Sequence, residues 1–378
     1  MHDEAVTQGP TIVVGRKGTV GAVHLSEKPC WPIDTTYYAE FNDLASARYA
    51  FYLLKTIGLD TMNEHAAVPG LNRESAHRRE IIVHDESEQR AIAGVLGSLH
   101  DKIALNRRMN RTLEAMARAL FKSWFVDFDP VQQNTGHPAD TPNPVSATAN
   151  PTLPPNLANL FPATFQNSQL GPIPDGWEVK SIGNAVECVG GGTPSTKTDA
   201  FWEGGTHLWA TPKDLSSLDA PVLTKTSRTI TDAGIAKVSS GLLECGTVLM
   251  SSRAPVGYLA IAEVPVAVNQ GFIAMKPTER MSSAYLLNWC WHNMDTIKGQ
   301  AGGTTFAEIS KKAFRPIPAL IPPPEVAAAF AGLADPMYDQ ITQNVYENDT
   351  LAALRDALLP KLLSGALSVA DAVEEVAT

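Results

Sequence analysis

From Ile92 onward, apolar and amide positions recur at alternating steps of four and three: Leu96, Leu99, Ile103, Asn106, Asn110, Leu113, Ala117, Leu120 and Trp124. Such spacing predicts a long helix, over 88–125, with a coiled-coil seam along one side. The same pattern returns through Phe330, Ala334, Met337, Ile341, Asn344, Asn348, Leu351, Arg355, Leu358 and Leu362, where Leu354 is better placed than Arg355 to bury. A second long helix is therefore expected over 325–365. Ile103 falls on Ile341, 238 residues later, and the same shift carries Gly94 onto Gly332, Asn110 onto Asn348 and Leu113 onto Leu351. A repeat of this length is a duplicated domain rather than a solenoid unit, whose period is about 20 to 50 residues.

Each seam holds asparagines at two successive positions. An amide in an apolar seam loses stability unless another amide faces it, and that need sets register and orientation. The two helices are thus expected to pack antiparallel, with Asn106, Asn110, Asn344 and Asn348 near the middle. About 37 residues of helix give a rod of roughly 55 Å.

Elsewhere the pattern changes period. Residues 11–38 read as strands and turns, with Thr11-Ile12-Val13-Val14 first, and 44–58 as a helix. From 126 to 169 prolines crowd in and charges thin out, which predicts an irregular connector. A second globular region follows. Its Gly246-Thr247-Val248-Leu249-Met250 matches the strand at Thr11, Arg253-Ala254-Pro255-Val256-Gly257 matches Lys17-Gly18-Thr19-Val20-Gly21 at a shift of 236, and a helix over 282–298 matches that over 44–58. On this alignment the second copy begins near Leu170, and roughly 65 residues expected in the first domain are not in the chain.

The chain is long enough for two ordinary domains and their connectors: 378 residues, 44% hydrophobic and 19% charged. No apolar run is long enough to span a membrane and no signal peptide opens the sequence, so a cytoplasmic protein is expected. Cys30, Cys188, Cys245 and Cys290 form no C-x-x-C pair and are expected to be buried free thiols. The net charge of −10 argues against a nucleic-acid partner until its distribution is considered. Residues 88–125 carry seven Lys/Arg against three Asp/Glu, 170–320 carry thirteen of each, and 321–378 carry two against nine. The acid lies in the last helix and tail, and it favours pairing with the basic first helix.

Chemistry-bearing motifs are absent. The scattered His24, His65, His84 and His207 lack metalloprotease spacing, and Asp175 and Glu178 read as an exposed turn entering a strand rather than a nuclease metal site. Gly190-Gly191-Gly192-Thr193-Pro194 could cradle a phosphate through backbone amides, but no Gly-Lys-Ser/Thr follows to make a nucleotide-hydrolysing loop. Asn143-Pro144-Val145 and Asn150-Pro151-Thr152 fail the pattern that holds a flipped base for methylation.

Several stretches together resemble the specificity subunit of type I restriction-modification systems. They are Glu88-Gln89-Arg90-Ala91-Ile92-Ala93, Ala119-Leu120-Phe121-Lys122-Ser123-Trp124-Phe125-Val126-Asp127-Phe128, Leu170-Gly171-Pro172-Ile173-Pro174-Asp175-Gly176-Trp177, Gly191-Gly192-Thr193-Pro194-Ser195 and Asn269-Gln270-Gly271-Phe272. The resemblance implies an α+β chain with two α/β target-recognition domains joined by a pair of long antiparallel coiled-coil helices. Its expected parts are a partial first domain over 1–87, the helix over 88–125, the connector, a second domain over 170–324, the helix over 325–365 and a tail over 366–378. It implies a non-catalytic subunit, without cofactor or metal, that reads a bipartite sequence in double-stranded DNA. Two methyltransferase subunits and restriction subunits are the implied partners, with no membrane involved. The alternative is a scaffold with a shortened, non-reading first domain that only docks partners or pairs with another copy.

Reading bases takes directional donors and acceptors on loops, with cations on the phosphates. The candidates are Thr193, Ser195, Lys197, Lys213, Arg253, Gln270, Lys298 and Thr304 in the second domain. In the first, Lys17 aligns with Arg253 and has Arg16 beside it.

Overall fold

A computed structural model describes residues 4–62, 70–135, 154–303 and 307–377. The chain forms two compact units, Met1–Leu105 with Glu347–Thr378, and Asn106–Tyr346. Two helices of 40 residues contribute to both, Glu86–Phe125 and Pro324–Leu363. At ~1.5 Å per residue each is ~60 Å long.

In the first unit, β1 (Thr11–Gly15) is flanked on one side by β2 (Val23–Ser26) and on the other by β3 (Thr36–Glu40), both antiparallel. The following helix, Leu44–Thr56, is started by Asp43, whose carboxylate accepts from the Ser46 amide at 2.9 Å. Its Tyr49, Phe51 and Tyr52 form a core with Ile12, with Ile92, Leu96 and Leu99 of the first long helix, and with Leu358, Leu362 and Leu363 of the second. The Tyr52 hydroxyl is buried but donates to the Leu96 carbonyl at 2.9 Å, which removes the cost of an unsatisfied polar group.

The second unit opens with a hairpin, β4 (Phe165–Ser168) and β5 (Gly171–Pro174), inside what the sequence presents as irregular connector. Helices Asp129–Asn134 and Pro155–Ala158 also lie in that stretch, while residues 136–153, with both failed Asn-Pro motifs, are outside the described residues. Next come β6 (Glu178–Ser181), β7 (Cys188–Val189), β8 (His207–Ala210), β9 (Val222–Leu223), β10 (Arg228–Ile230), β11 (Val248–Ser251), β12 (Leu259–Ala262), β13 (Val266–Val268), β14 (Phe272–Met275) and β15 (Pro318–Ile321). They make a five-stranded sheet in the order β7-β14-β11-β12-β9, a three-stranded sheet in the order β10-β8-β13, and the pair β15-β6. Strands β11, β12 and β14 are buried at every residue and apolar throughout except for Ser251, whose hydroxyl donates to the Pro255 carbonyl at 2.7 Å.

Strand register repeats from one unit to the other. Val14 faces Val23 and Tyr37 as Met250 faces Leu259 and Ile273, each 236 residues on. The turn repeats as well: the Gly21 amide donates to the Gly15 carbonyl at 2.8 Å, and that of Gly257 to Ser251 at 3.0 Å. Farther along, the Leu71 amide donates to Arg16 as that of Ile309 does to Ser252, now with the helices' shift of 238 on one side.

Within each unit, residue numbers along the two long helices run in opposite senses. Leu96 and Leu99 share a core with Leu362 and Leu358 in the first unit. In the second, the Asn344 amide donates to the Asn110 carbonyl oxygen at 2.7 Å, while Phe125 stacks edge-on against Phe330 at 5.0 Å. Gln340 in turn donates to Asn344 at 3.0 Å. The buried line departs from the expected seam at two places. Phe121 and Tyr338 are buried, whereas Leu120 and Met337 are only half covered, because Phe121 enters an aromatic cluster with Phe125, Tyr285 and Phe330.

The helix expected over 282–298 is two, Ser283–His292 and Met294–Gly299. Asn293 separates them, its side chain donating to the Trp289 carbonyl at 2.9 Å and competing with the helical ladder. Of the cysteines, Cys188 and Cys290 are buried, and burial pushes the Cys188 thiol up to about 11, whereas Cys245 is exposed and Cys30 half-buried. Among the described residues no helix is long and apolar enough to cross a membrane.

Candidate nucleic-acid interface

Strands β8 and β13 are parallel, so both chains leave them at the same end. Beyond β13, the Asn269 amide donates to the Ala210 carbonyl at 3.0 Å and its side chain accepts from the Gly271 amide at 2.8 Å, folding 269–271 into a tight turn. Three other loops gather on this turn.

The glycine run comes first. A Cβ on Gly191 would stand 1.7 Å from the Val268 carbonyl oxygen, so only glycine permits this approach. The Gly192 amide then donates to that same carbonyl at 3.0 Å, and Thr193 Oγ1 donates to Gln270 Oε1 at 2.6 Å. Next is the segment after β8, where Pro212 lies against Gly271 and begins a short helix, leaving Lys213 exposed. The loop after β11 is last. Its Ser252 amide donates to the Gly271 carbonyl at 2.8 Å, and Arg253 follows, half-buried, 3.7 Å from Glu308.

Thr193, Lys213, Arg253 and Gln270 thus belong to one loop cluster. Ser195 and Lys197 are exposed on the glycine-run loop, and Lys298 lies over Gly257 at the far end of the Arg253 loop. Thr304 lies outside the described residues. In the first unit Arg16 and Lys17 are exposed at the equivalent turn, with the Arg16 guanidinium 5.8 Å from the Tyr37 ring centroid.

Asp214 holds this end together. It caps the Pro212–Ser216 helix, accepting from the Thr211 amide and hydroxyl, both at 2.7 Å, and from the Ser227 amide at 2.8 Å. Burial opposes its charge, but those hydrogen bonds outweigh burial and hold the carboxyl below its ordinary range. Glu178, by contrast, is exposed and held at about 2 by hydrogen bonds from Lys180, then Arg280, at 2.7 and 2.8 Å. It serves as an ion-pair partner, and Asp175 lies in a turn, its amide donating to the Thr164 carbonyl. Among the described residues no three His, Cys, Asp or Glu side chains gather as a metal site.

The structure adds a cation that the sequence alone does not single out. Arg228 on β10 lies over the Trp202 ring at 3.8 Å and 5.5 Å from that of Trp209. Both indoles are tied to the glycine-run loop, Trp209 Nε1 donating to the Gly192 carbonyl at 3.2 Å and Trp202 Nε1 to that of Ser195 at 3.0 Å. Lys311 extends toward Gly190 from another side. The only signal in the sequence is the pair of tryptophans seven apart; placing Arg228 on them requires the β10–β8 register, in which Arg228 faces Trp209.

Directional side chains ringed by cations on loops at one end of two sheets form a surface suited to base edges and phosphates together. Residues 174–340 match the type I restriction modification DNA specificity domain. The type I restriction enzyme MjaIX specificity subunit of Methanocaldococcus jannaschii is 34% identical over 189 residues, covering 50% of this chain and 44% of the relative. The HindI specificity subunit of Haemophilus influenzae is 27% identical over 329 residues, covering 79% of this chain and 71% of the relative. The chain thus spans less than half the length of the archaeal relative and most of the bacterial one. The crystal structure of a type I restriction-modification S subunit from M. genitalium shares the fold, with a TM-score of 0.54 at 16% identity over 96% of this chain and 84% of that one. With a match to the specificity domain at 174–340, a duplicated strand register and two long helices, the chain is similar to type I restriction-modification specificity subunits.

Proposed function

We propose that this chain is the DNA-reading component of a type I restriction-modification complex, recognising a bipartite target and docking the subunits that carry out methylation and cleavage. The observation that carries the reading is the convergence of Thr193, Lys213, Arg253 and Gln270 around residues 269–271, with Arg228 beside them. Gln270 and Arg253 are the side chains to approach base edges in the major groove, where bidentate contacts discriminate by about 1–3 kcal/mol each. Lys197, Lys213 and Lys298 suit phosphates, Ser195 is a further candidate on the glycine-run loop, and Thr304 is a candidate by its place in the sequence. Arg16 and Lys17 take the corresponding role in the first unit.

The long helices are the proposed dock for two methyltransferase subunits, with restriction subunits joining the complex. Leu105, Met116, Leu333 and Tyr346 support this, being large apolar side chains that are exposed on those helices. The asparagine pair is assigned the role of fixing helix register. The proposed site of action is the cytoplasm, with the DNA. A net charge of −10 predicts weak binding by the isolated chain, so the test is an electrophoretic mobility shift with methyltransferase partners present. A split sequence should compete at far lower concentration than random DNA, and indifference to sequence refutes the reading.

A second reading, a scaffold whose first unit docks partners without reading DNA, is supported by the smaller three-stranded sheet of that unit. Methylome sequencing separates the two. A split motif favours two reading units, and a half motif favours the scaffold.

A further inference from the structure

Arg228 sits at the end of β10 that lies beside Trp209, the end of β8 from which the Lys213 segment departs. Its backbone is fixed on both sides. The preceding amide, that of Ser227, donates to the Asp214 carboxylate at 2.8 Å, and the Arg228 carbonyl accepts from Thr226 Oγ1 at 2.7 Å. Asp214 directly follows Lys213, so the strand carrying one cation is tied to the segment carrying the other. The indoles beneath Arg228 are equally fixed. Trp202 and Trp209 meet edge to face at 4.9 Å and share a small core with Ile230, Val238 and Ala267. The turn bearing Trp202 is stitched to the other end of β10, the Thr231 amide donating to the Phe201 carbonyl at 3.1 Å and its hydroxyl to that of Ala200 at 2.7 Å.

What sets Arg228 apart is that its donors are unspent. Arg118 also lies over an indole, that of Trp291 at 3.6 Å, but it is paired with Glu114. Arg280 is bound to Glu178 and to the Pro322 carbonyl, and Arg315 donates to the Cys188 carbonyl. Arg228 is exposed, and among the described residues its guanidinium has neither a carboxylate nor a carbonyl as acceptor. Asp232, two residues past β10, is engaged with His207 at 2.8 Å. Covering an indole needs only a long side chain, so five N–H donors turned to solvent are more than packing requires.

We propose that Arg228 is a phosphate anchor, its guanidinium fork taking two oxygens of a single phosphate in the backbone of the DNA. The assignment rests on the reading of this face as a DNA interface. Posture favours phosphate over a base edge. The guanidinium lies back on the sheet face, 3.8 Å from the Trp202 ring centroid, whereas base edges line the floor of a groove about 8.5 Å deep, which suits side chains on loops such as Gln270. Trp202 and Trp209 act as positioning residues. Each indole donates to the glycine-run loop, whose Thr193 holds Gln270, so the anchor and the reading side chain belong to one frame. A phosphate held by Arg228 thereby sets the register in which Gln270 meets the bases.

The test uses the full chain with methyltransferase partners on a duplex bearing the motif found by methylome sequencing, with single phosphates replaced in turn by neutral methylphosphonate. At the anchored phosphate the parent should lose about tenfold in affinity. Arg228→Met keeps an unbranched chain over Trp202, and its melting temperature should match the parent's; Arg228→Gln replaces it if methionine destabilises the fold. The variant should bind about tenfold more weakly on all sequences alike, lower the salt slope by about one, and lose nothing further at that one phosphonate. Arg228→Lys keeps the charge without the fork, so it should retain the slope yet bind several-fold more weakly. Parental affinity in the uncharged variant, an identical response of parent and variant to every phosphonate, or a loss seen only when one base pair is changed overturns the proposal, the last by making Arg228 a base reader. Parental binding that ignores sequence would instead refute base reading, and the difference in salt slope, which needs no sequence preference, would still decide this contact.

Discussion

Replacing Asn110 with leucine isolates one polar contact in an otherwise apolar interface. Asn344 is 2% exposed, so once the Asn110 oxygen is gone its Nδ2 has no water to turn to, while its own oxygen keeps the bond from Gln340. A buried donor stripped of its acceptor costs about 1–3 kcal/mol. For a unit of this size about 2 kcal/mol lowers the melting temperature by about 4–8 °C. Asn344→Leu should behave alike. The double variant Asn110→Leu/Asn344→Leu removes donor and acceptor together and should recover most of the loss, or exceed the parent, giving a coupling energy of about 1–3 kcal/mol. Urea unfolding of the four proteins, followed by tryptophan fluorescence and by circular dichroism, measures the cycle. If the single changes cost under about 0.5 kcal/mol, or if the double costs their sum, the amide pair does not act as a unit and the reasoning fails. Should the double variant be more stable yet sample several oligomeric states, the pair acts in specificity rather than stability.

Other consequences are more local. Gly191→Ala puts a methyl carbon into the Val268 carbonyl, so it should shift the glycine-run loop, visible as faster amide exchange at 190–193, and weaken DNA binding by the complex. Asp214, with its carboxyl held low in the fold, contributes fully above the ordinary value of 3.8 and loses that contribution as pH falls through its lower folded value. Asp214→Asn should therefore destabilise the second unit at neutral pH and flatten the acid limb of a stability profile from pH 6 to 2, read by thermal melts. Lys213→Gln should weaken binding about equally on all sequences and reduce the salt slope by about one, whereas Gln270→Ala should relax sequence preference, both measured by competition binding across a salt series.

The seam and the asparagines were legible because helical periodicity is local and the duplication presents it twice. The strand at Val248 was legible for the same reason: Val13 and Leu249 occupy the same register in two sheets. Packing was less so. Nothing in the steps of four and three distinguishes Phe121 from Leu120; the choice is made by Tyr285 and Phe330, far away in sequence. The hairpin of Phe165–Ser168 and Gly171–Pro174 was hidden because three of its eight residues are proline or glycine, which punctuate loops and hairpin strands alike. At the candidate interface the loops were nameable one by one, and their meeting was not. Arg228 stayed invisible because a cation over an indole is a property of cross-strand register, not of spacing.

That guanidinium also bears on kinetics. A long side chain that must be immobilised on contact forfeits about 0.5–1.5 kcal/mol of rotamer freedom at that moment. Arg228 rests on Trp202 before any phosphate arrives, so folding has already restricted it. Removing the indole should therefore act mainly through the lifetime of the complex, leaving the charge, and with it the long-range attraction that governs encounter, almost unchanged.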